Sequence, residues 1–95
     1  MNDKKYNPFY WKSITAIDIQ NGNIISEKQS TRPKLIKGIS YDLENKDNIE
    51  LICSIDGIGI FFKTVNRNSE FDVLMNKDTN EAATQSDLFE VSKNE

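Results

Sequence analysis

Ninety-five residues, 28 % of them charged and 37 % hydrophobic, provide for one small domain and leave little for a core plus a deep catalytic cleft. The net charge of −3 is uneven: residues 1–75 hold ten Lys or Arg against ten Asp or Glu, and residues 76–95 hold two against five. An electroneutral body with an acidic end lacks the basic footprint of a nucleic-acid binder. With no histidine and one cysteine, the chain excludes imidazole catalysis, the usual zinc ligand sets and an internal disulfide.

The first residues, 1–5, are charged and run into Pro8 without the apolar stretch of a secretory signal, and no window approaches the ~18 apolar residues of a membrane span. With its lone Cys53, the chain is expected in a reducing, cytoplasmic compartment. Residues 10–19 are aromatic and β-branched, and Asn21-Gly22 is placed to fold them back onto residues 23–29 as a hairpin. Pro33 then interrupts pairing, because it has no N–H to donate. Leu35, Ile39, Tyr41 and Leu43 alternate with smaller or polar residues, and so do Ile49, Leu51, Cys53 and Ile55; both have the period of a strand with one buried face. Asp56-Gly57 leads into a further strand over residues 58–65. Residues 69–75 fit either a short helix capped by Ser69 or a sixth strand. From Asn76 the apolar period disappears, which predicts a β domain over residues 1–75 and a flexible acidic linker and tail over 76–95. The expected fold is mainly β, a five-stranded meander or small barrel of SH3-like or OB-like kind, with a curled sheet under one helix as the alternative.

Little in the chain points to catalysis. Asp42, Glu44, Asp47 and Glu50 cluster at one turn but lack the spacing of a calcium loop. The four glycines are dispersed and form no phosphate cradle. Cys53 lies on the apolar side of its strand, where a buried thiol is inert. The expectation is a protein that is not an enzyme and uses neither metal nor cofactor.

Two binding features remain. Tyr6, Phe9, Tyr10 and Trp11, interleaved with Lys4, Lys5 and Lys12, have the composition of a weak single-stranded nucleic-acid platform, in which Tyr10 and Trp11 stack bases and Lys12 follows phosphate. The neutral body favours the other assignment, in which these rings close one end of a barrel and join Phe61 and Phe62 in its core.

The second feature is Gln85-Ser86-Asp87-Leu88-Phe89, a polar residue and two adjacent large apolar residues in an otherwise acidic, small-residue tail. A tail too polar to bury itself has no folding reason to expose a Leu-Phe pair, whereas a groove on a partner supplies one. The five residues resemble the peptide by which bacterial replication and repair proteins dock on the sliding clamp of the replicative DNA polymerase. They match at four positions and depart at Ser86, where Leu is common. The resemblance implies that Gln85 meets polar backbone groups at the mouth of a groove, Asp87 fixes the turn of the peptide, and Leu88 and Phe89 fill an apolar pocket. The partner so implied is the clamp itself, with the chain a replication or repair accessory or an inhibitor of other clamp clients. Rich in Lys and Asn, the composition is that of AT-rich bacterial, phage or mobile-element genes. An inhibitor acting on a host protein through its β domain is the alternative.

Overall fold

The structure, a computed structural model, describes residues 7–27, 32–55 and 59–86. Among these residues seven strands form one antiparallel sheet: β1 (Phe9–Thr15), β2 (Ile24–Glu27), β3 (Lys34–Tyr41), β4 (Asn48–Ile55), β5 (Gly59–Asn66), β6 (Glu70–Asn76) and the two-residue β7 (Glu81–Ala82). The order across the sheet is β1-β6-β2-β3-β4-β5. Because β1 pairs with the whole of β6 from Glu70 to Asn76, β2 and β7 share the opposite edge of β6, at Phe71–Val73 and Met75–Asn76.

The fold is therefore mainly β, but the sheet is open: β1 and β5 are its edges and do not pair with each other. β2 to β5 form the meander that alternation predicts. The expected hairpin between the first two strands is absent, because β6 lies between them. Asn21-Gly22 does form a turn, with Gly22 at φ 88° and the Asn23 N–H donating to the Gln20 carbonyl. A 3-10 turn at Ala16–Asp18 first carries the chain off the strand, so the Asn-Gly turn redirects it without joining two neighbours. Residues 69–75, open between helix and strand in the sequence, are β6, the strand that holds β1 and β2 together.

Alternation places Ile25, Ile36, Ile49, Leu51, Cys53, Val65, Phe71 and Val73 in one buried cluster on the concave face. Val65 of β5 and Phe71 of β6 share this core although three strands separate them in sheet order, which only a strongly curled sheet permits. A polar contact gives the same result. Lys63 of β5 and Lys34 of β3 both pair with the Glu27 carboxylate of β2, Lys34 at 3.8 Å. In a flat sheet β2 and β5 would stand about 14 Å apart, three strand spacings, which is too far for those side chains to meet. One end of the curl is stitched by backbone bonds: Ala16 N–H to the Ser69 carbonyl at 2.9 Å, Ile17 N–H to that of Arg67 at 3.1 Å, and Arg67 N–H to that of Asp47 at 2.8 Å.

The convex face has a smaller cluster of its own: Ile24, Leu74 and Ala83, with Phe9 and Leu35 packed against it. Its presence changes the reading of residues 76–86, which the sequence presents as linker. Asn76 turns the chain, its Oδ1 accepting from Asp78 N–H and its carbonyl from Asn80 N–H. β7 then returns along β6, and Ala83, 1 % exposed, donates its N–H to the Leu74 carbonyl at 2.9 Å. Packed structure thus continues past Met75, and the described chain ends at Ser86 with Gln85 and Ser86 in a helical turn. No helix among the described residues is long and apolar enough to cross a membrane.

Candidate functional site

The side chains of one transverse row on the convex face belong to four successive strands: Ile24 of β2 faces Leu35 of β3, Leu35 faces Ser54 of β4, and Ser54 faces Ile60 of β5. The next row places Gly38, Ile52 and Phe62 side by side. Gly38 leaves room for its neighbour: a Cβ there would stand 3.0 Å from Ile52 Cδ1. Ile24 is covered by Leu74 and Ala83, but Ile60 and Phe62 are 63 % and 66 % exposed. An apolar surface thus continues from the small outer core onto the β5 edge.

A groove of about 440 Å³ opens at the end of the first row and is lined from both sides of the sheet, by Ile24, Leu35 and Ser54 of the convex row and by Lys34 and Ile55, in phase with the concave face, with Pro33 and Gln85 also in its lining. A second hollow of about 400 Å³ lies on the other side of the same chain segment, between Thr84, Gln85 and Ser86 and the β3 residues Leu35 to Lys37. Gln85, like Leu35, is therefore common to both; it is exposed and follows the buried Ala83 by two residues. Arg32 stands on the rim of the first hollow and Lys37 on that of the second.

Of the predicted docking residues, the structure places Gln85 at this groove, while Asp87, Leu88 and Phe89 lie outside the described residues. The groove itself could not be read from the sequence, since Ile24, Leu35 and Ile55 are far apart in the chain and join only through strand register.

The pleat separates the two rings proposed to stack bases in the alternative platform. Tyr10 and Trp11 are adjacent on edge strand β1 and so point to opposite faces. They pair with Met75 and Leu74, inner- and outer-face residues respectively, and Lys12 shares the face of Tyr10. Only Trp11 of the two, 43 % exposed, faces the convex side, and Phe9 beside it packs on the outer cluster. Among the described residues, Phe9, Tyr10 and Trp11 do not join Phe61 and Phe62 in a core, and Tyr6 lies outside those residues. Phe61 packs at the margin of the main core, and Phe62 is exposed.

At the acidic turn, Asp42 Oδ1 accepts from the N–H groups of Glu44 and Asn45 at 2.9 and 3.1 Å, so this carboxylate serves its own loop. Among the described residues no three acidic or thiol groups converge as metal ligands. Cys53 is free and fully buried, and that burial raises its thiol pKa while nearby Lys34 opposes the rise. Such a thiol is a core side chain and a poor nucleophile at neutral pH. No family model, no curated protein and no solved structure matches this chain.

Proposed function

We propose that this protein is a non-enzymatic binding module that docks on the bacterial polymerase sliding clamp through Gln85, Asp87, Leu88 and Phe89, as an accessory of replication or repair or as an inhibitor of other clamp clients. The observation that carries this reading is the sequence Gln85-Ser86-Asp87-Leu88-Phe89, whose apolar pair begins five residues after Ala83, the last buried side chain among the described residues. Its position supports it: the sheet supplies the folded body, and Gln85 stands exposed two residues after the buried Ala83.

Burying Leu88 and Phe89 is worth roughly 1.5–3 kcal/mol each before ordering costs, so a single peptide binds in the micromolar range, near −8 kcal/mol at best. Calorimetric titration of a purified bacterial clamp with a peptide of residues 84–92 tests the reading. Micromolar heat that disappears with Leu88→Ala and Phe89→Ala is the expected result. No heat at ~100 μM peptide, and no displacement of a known clamp ligand, overturns it.

A further inference from the structure

We infer that two copies of this chain join through the outer edge of β5, strand against strand and antiparallel, about a two-fold axis at Phe62, so that the open sheet of one copy continues into that of the other. The pairing is independent of clamp docking.

Ladder geometry fixes which backbone groups of β5 face outward. In an antiparallel pair, partners that exchange hydrogen bonds alternate with partners that do not. The Arg67 N–H donates to the Asp47 carbonyl at 2.8 Å, one step beyond the Asn66–Asn48 pair. Counting back along that register, Val65, Lys63 and Phe61 turn their N–H and C=O groups to Ile49, Leu51 and Cys53 of β4. Thr64, Phe62 and Ile60 therefore turn theirs away from β4, and no described strand lies on that side. The Asp42 N–H, which points to the Asn48 carbonyl from the other flank of β4, gives the same phase.

The same alternate residues carry the exposed apolar side chains. Ile60 and Phe62 stand out on the convex face beside Ser54 and Ile52. An eight-residue edge strand with outward ladder groups and apolar side chains at the same positions is the arrangement that recruits another strand.

Charge selects a second copy and its register. Gly59–Asn66 holds one charged residue, Lys63, and an inward lysine ordinarily guards an edge against pairing. Here its ammonium group is taken up by the Glu27 carboxylate across the concave interior. Outward residues must meet outward residues, so the two-fold axis passes through a residue of β5, and centres at Phe62 or Lys63 give the longest overlap. A centre at Lys63 sets two lysines directly opposite, which is destabilising. A centre at Phe62 sets Phe62 against its own copy, Ile60 against Thr64 and Lys63 against Phe61, with no like charges facing. With one strand from each copy in contact, the interface belongs to the small, transient class, under about 1,200 Å² in total.

Sedimentation equilibrium of the full chain at rising concentration, read beside hydrogen exchange of the β5 amides, tests this pairing. The mass should approach two chains by ~1 mM. Over the same range the Ile60, Phe62 and Thr64 amides should slow by about fivefold, and those of Phe61 and Lys63, already in the ladder, by less. Phe62→Lys, which sets two lysines on the axis, should return the mass to one chain with its circular dichroism unchanged. A single-chain mass at ~1 mM overturns the proposal, and so does a dimer whose Ile60, Phe62 and Thr64 amides stay fast. A mass that grows past two chains also overturns it, because β5 would then pair with the β1 edge of the next copy in an open array. Mass and exchange are read on the unmodified chain, so a variant that folds poorly does not decide the outcome.

Discussion

Glu27→Gln is the most informative perturbation of this fold. The Glu27 carboxylate on β2 receives two ammonium groups, Lys34 from the adjoining β3 and Lys63 from β5 across the concave interior. The Lys34 side chain is only 9 % exposed, whereas Glu27 and Lys63 are 36 % and 34 % exposed. At 3.8 Å and an effective dielectric constant of 20, the Lys34–Glu27 attraction amounts to about 4 kcal/mol. Solvent access to Glu27 screens part of that, and the desolvation of Lys34 is incurred whether or not its partner is charged. The expected loss on Glu27→Gln is thus about 2–3 kcal/mol, arising chiefly from a lysine left buried without its carboxylate. Lys63→Met removes the more exposed partner, keeps the apolar stem, and should cost about 1 kcal/mol or less. Urea unfolding with unchanged m-values measures both. A loss under about 0.5 kcal/mol for Glu27→Gln, or a larger loss for Lys63→Met than for Glu27→Gln, refutes this account.

A chain ending at Ser86 should unfold cooperatively with close to full-length stability, whereas one ending at Met75 loses β7 and Ala83, uncovers Ile24 and Leu74, and should be less stable by about 2 kcal/mol or more; paired thermal melts check this, and equal stability would show that residues 76–86 contribute nothing. Trp11→Ala, on an edge strand and partly exposed, should cost about 1 kcal/mol or less, and fluorescence anisotropy should show no sub-micromolar binding of a labelled single-stranded oligonucleotide by either form; salt-sensitive binding lost in the variant would restore the stacking platform. The Cys53 thiol, buried and with its pKa raised by desolvation, should react with an aromatic disulfide reagent at pH 8 only as fast as the protein opens, and immediate reaction in the native state would contradict its burial.

Strand content was legible because period two is a local signal. Ile49, Leu51 and Cys53 are buried as their alternation requires, and Val65 faces Ile49 on the same side. Topology was less legible, because the insertion of β6 between β1 and β2 depends on pairings some 60 residues apart that no local pattern records. Residues 69–75 were ambiguous for a related reason: Phe71, Val73, Leu74 and Met75 are apolar on both faces, since β6 serves the inner core with Phe71, Val73 and Met75 and the outer core with Leu74. The same two-sidedness hid Ala83. An alanine in a polar segment carries no sign that it will be the lid on Ile24 and Leu74. Of the candidate site, Gln85 was visible through its motif, while the groove beside it is made by register alone.

The place of β6 also governs when the molecule can assemble during synthesis. β2 to β5 lie consecutively and can zip as they emerge, because each new strand meets the one just made. β1 is made first and waits longest: Phe9 has no partner until Asn76 exists, and Thr15 none until Glu70. A nascent chain therefore carries Phe9, Tyr10 and Trp11 as an unpaired, aromatic strand through most of its translation, the kind of segment that invites pairing with a stranger. Closing so long a loop comes late and slowly, so the N-terminal strand is where misassembly of this small protein should begin.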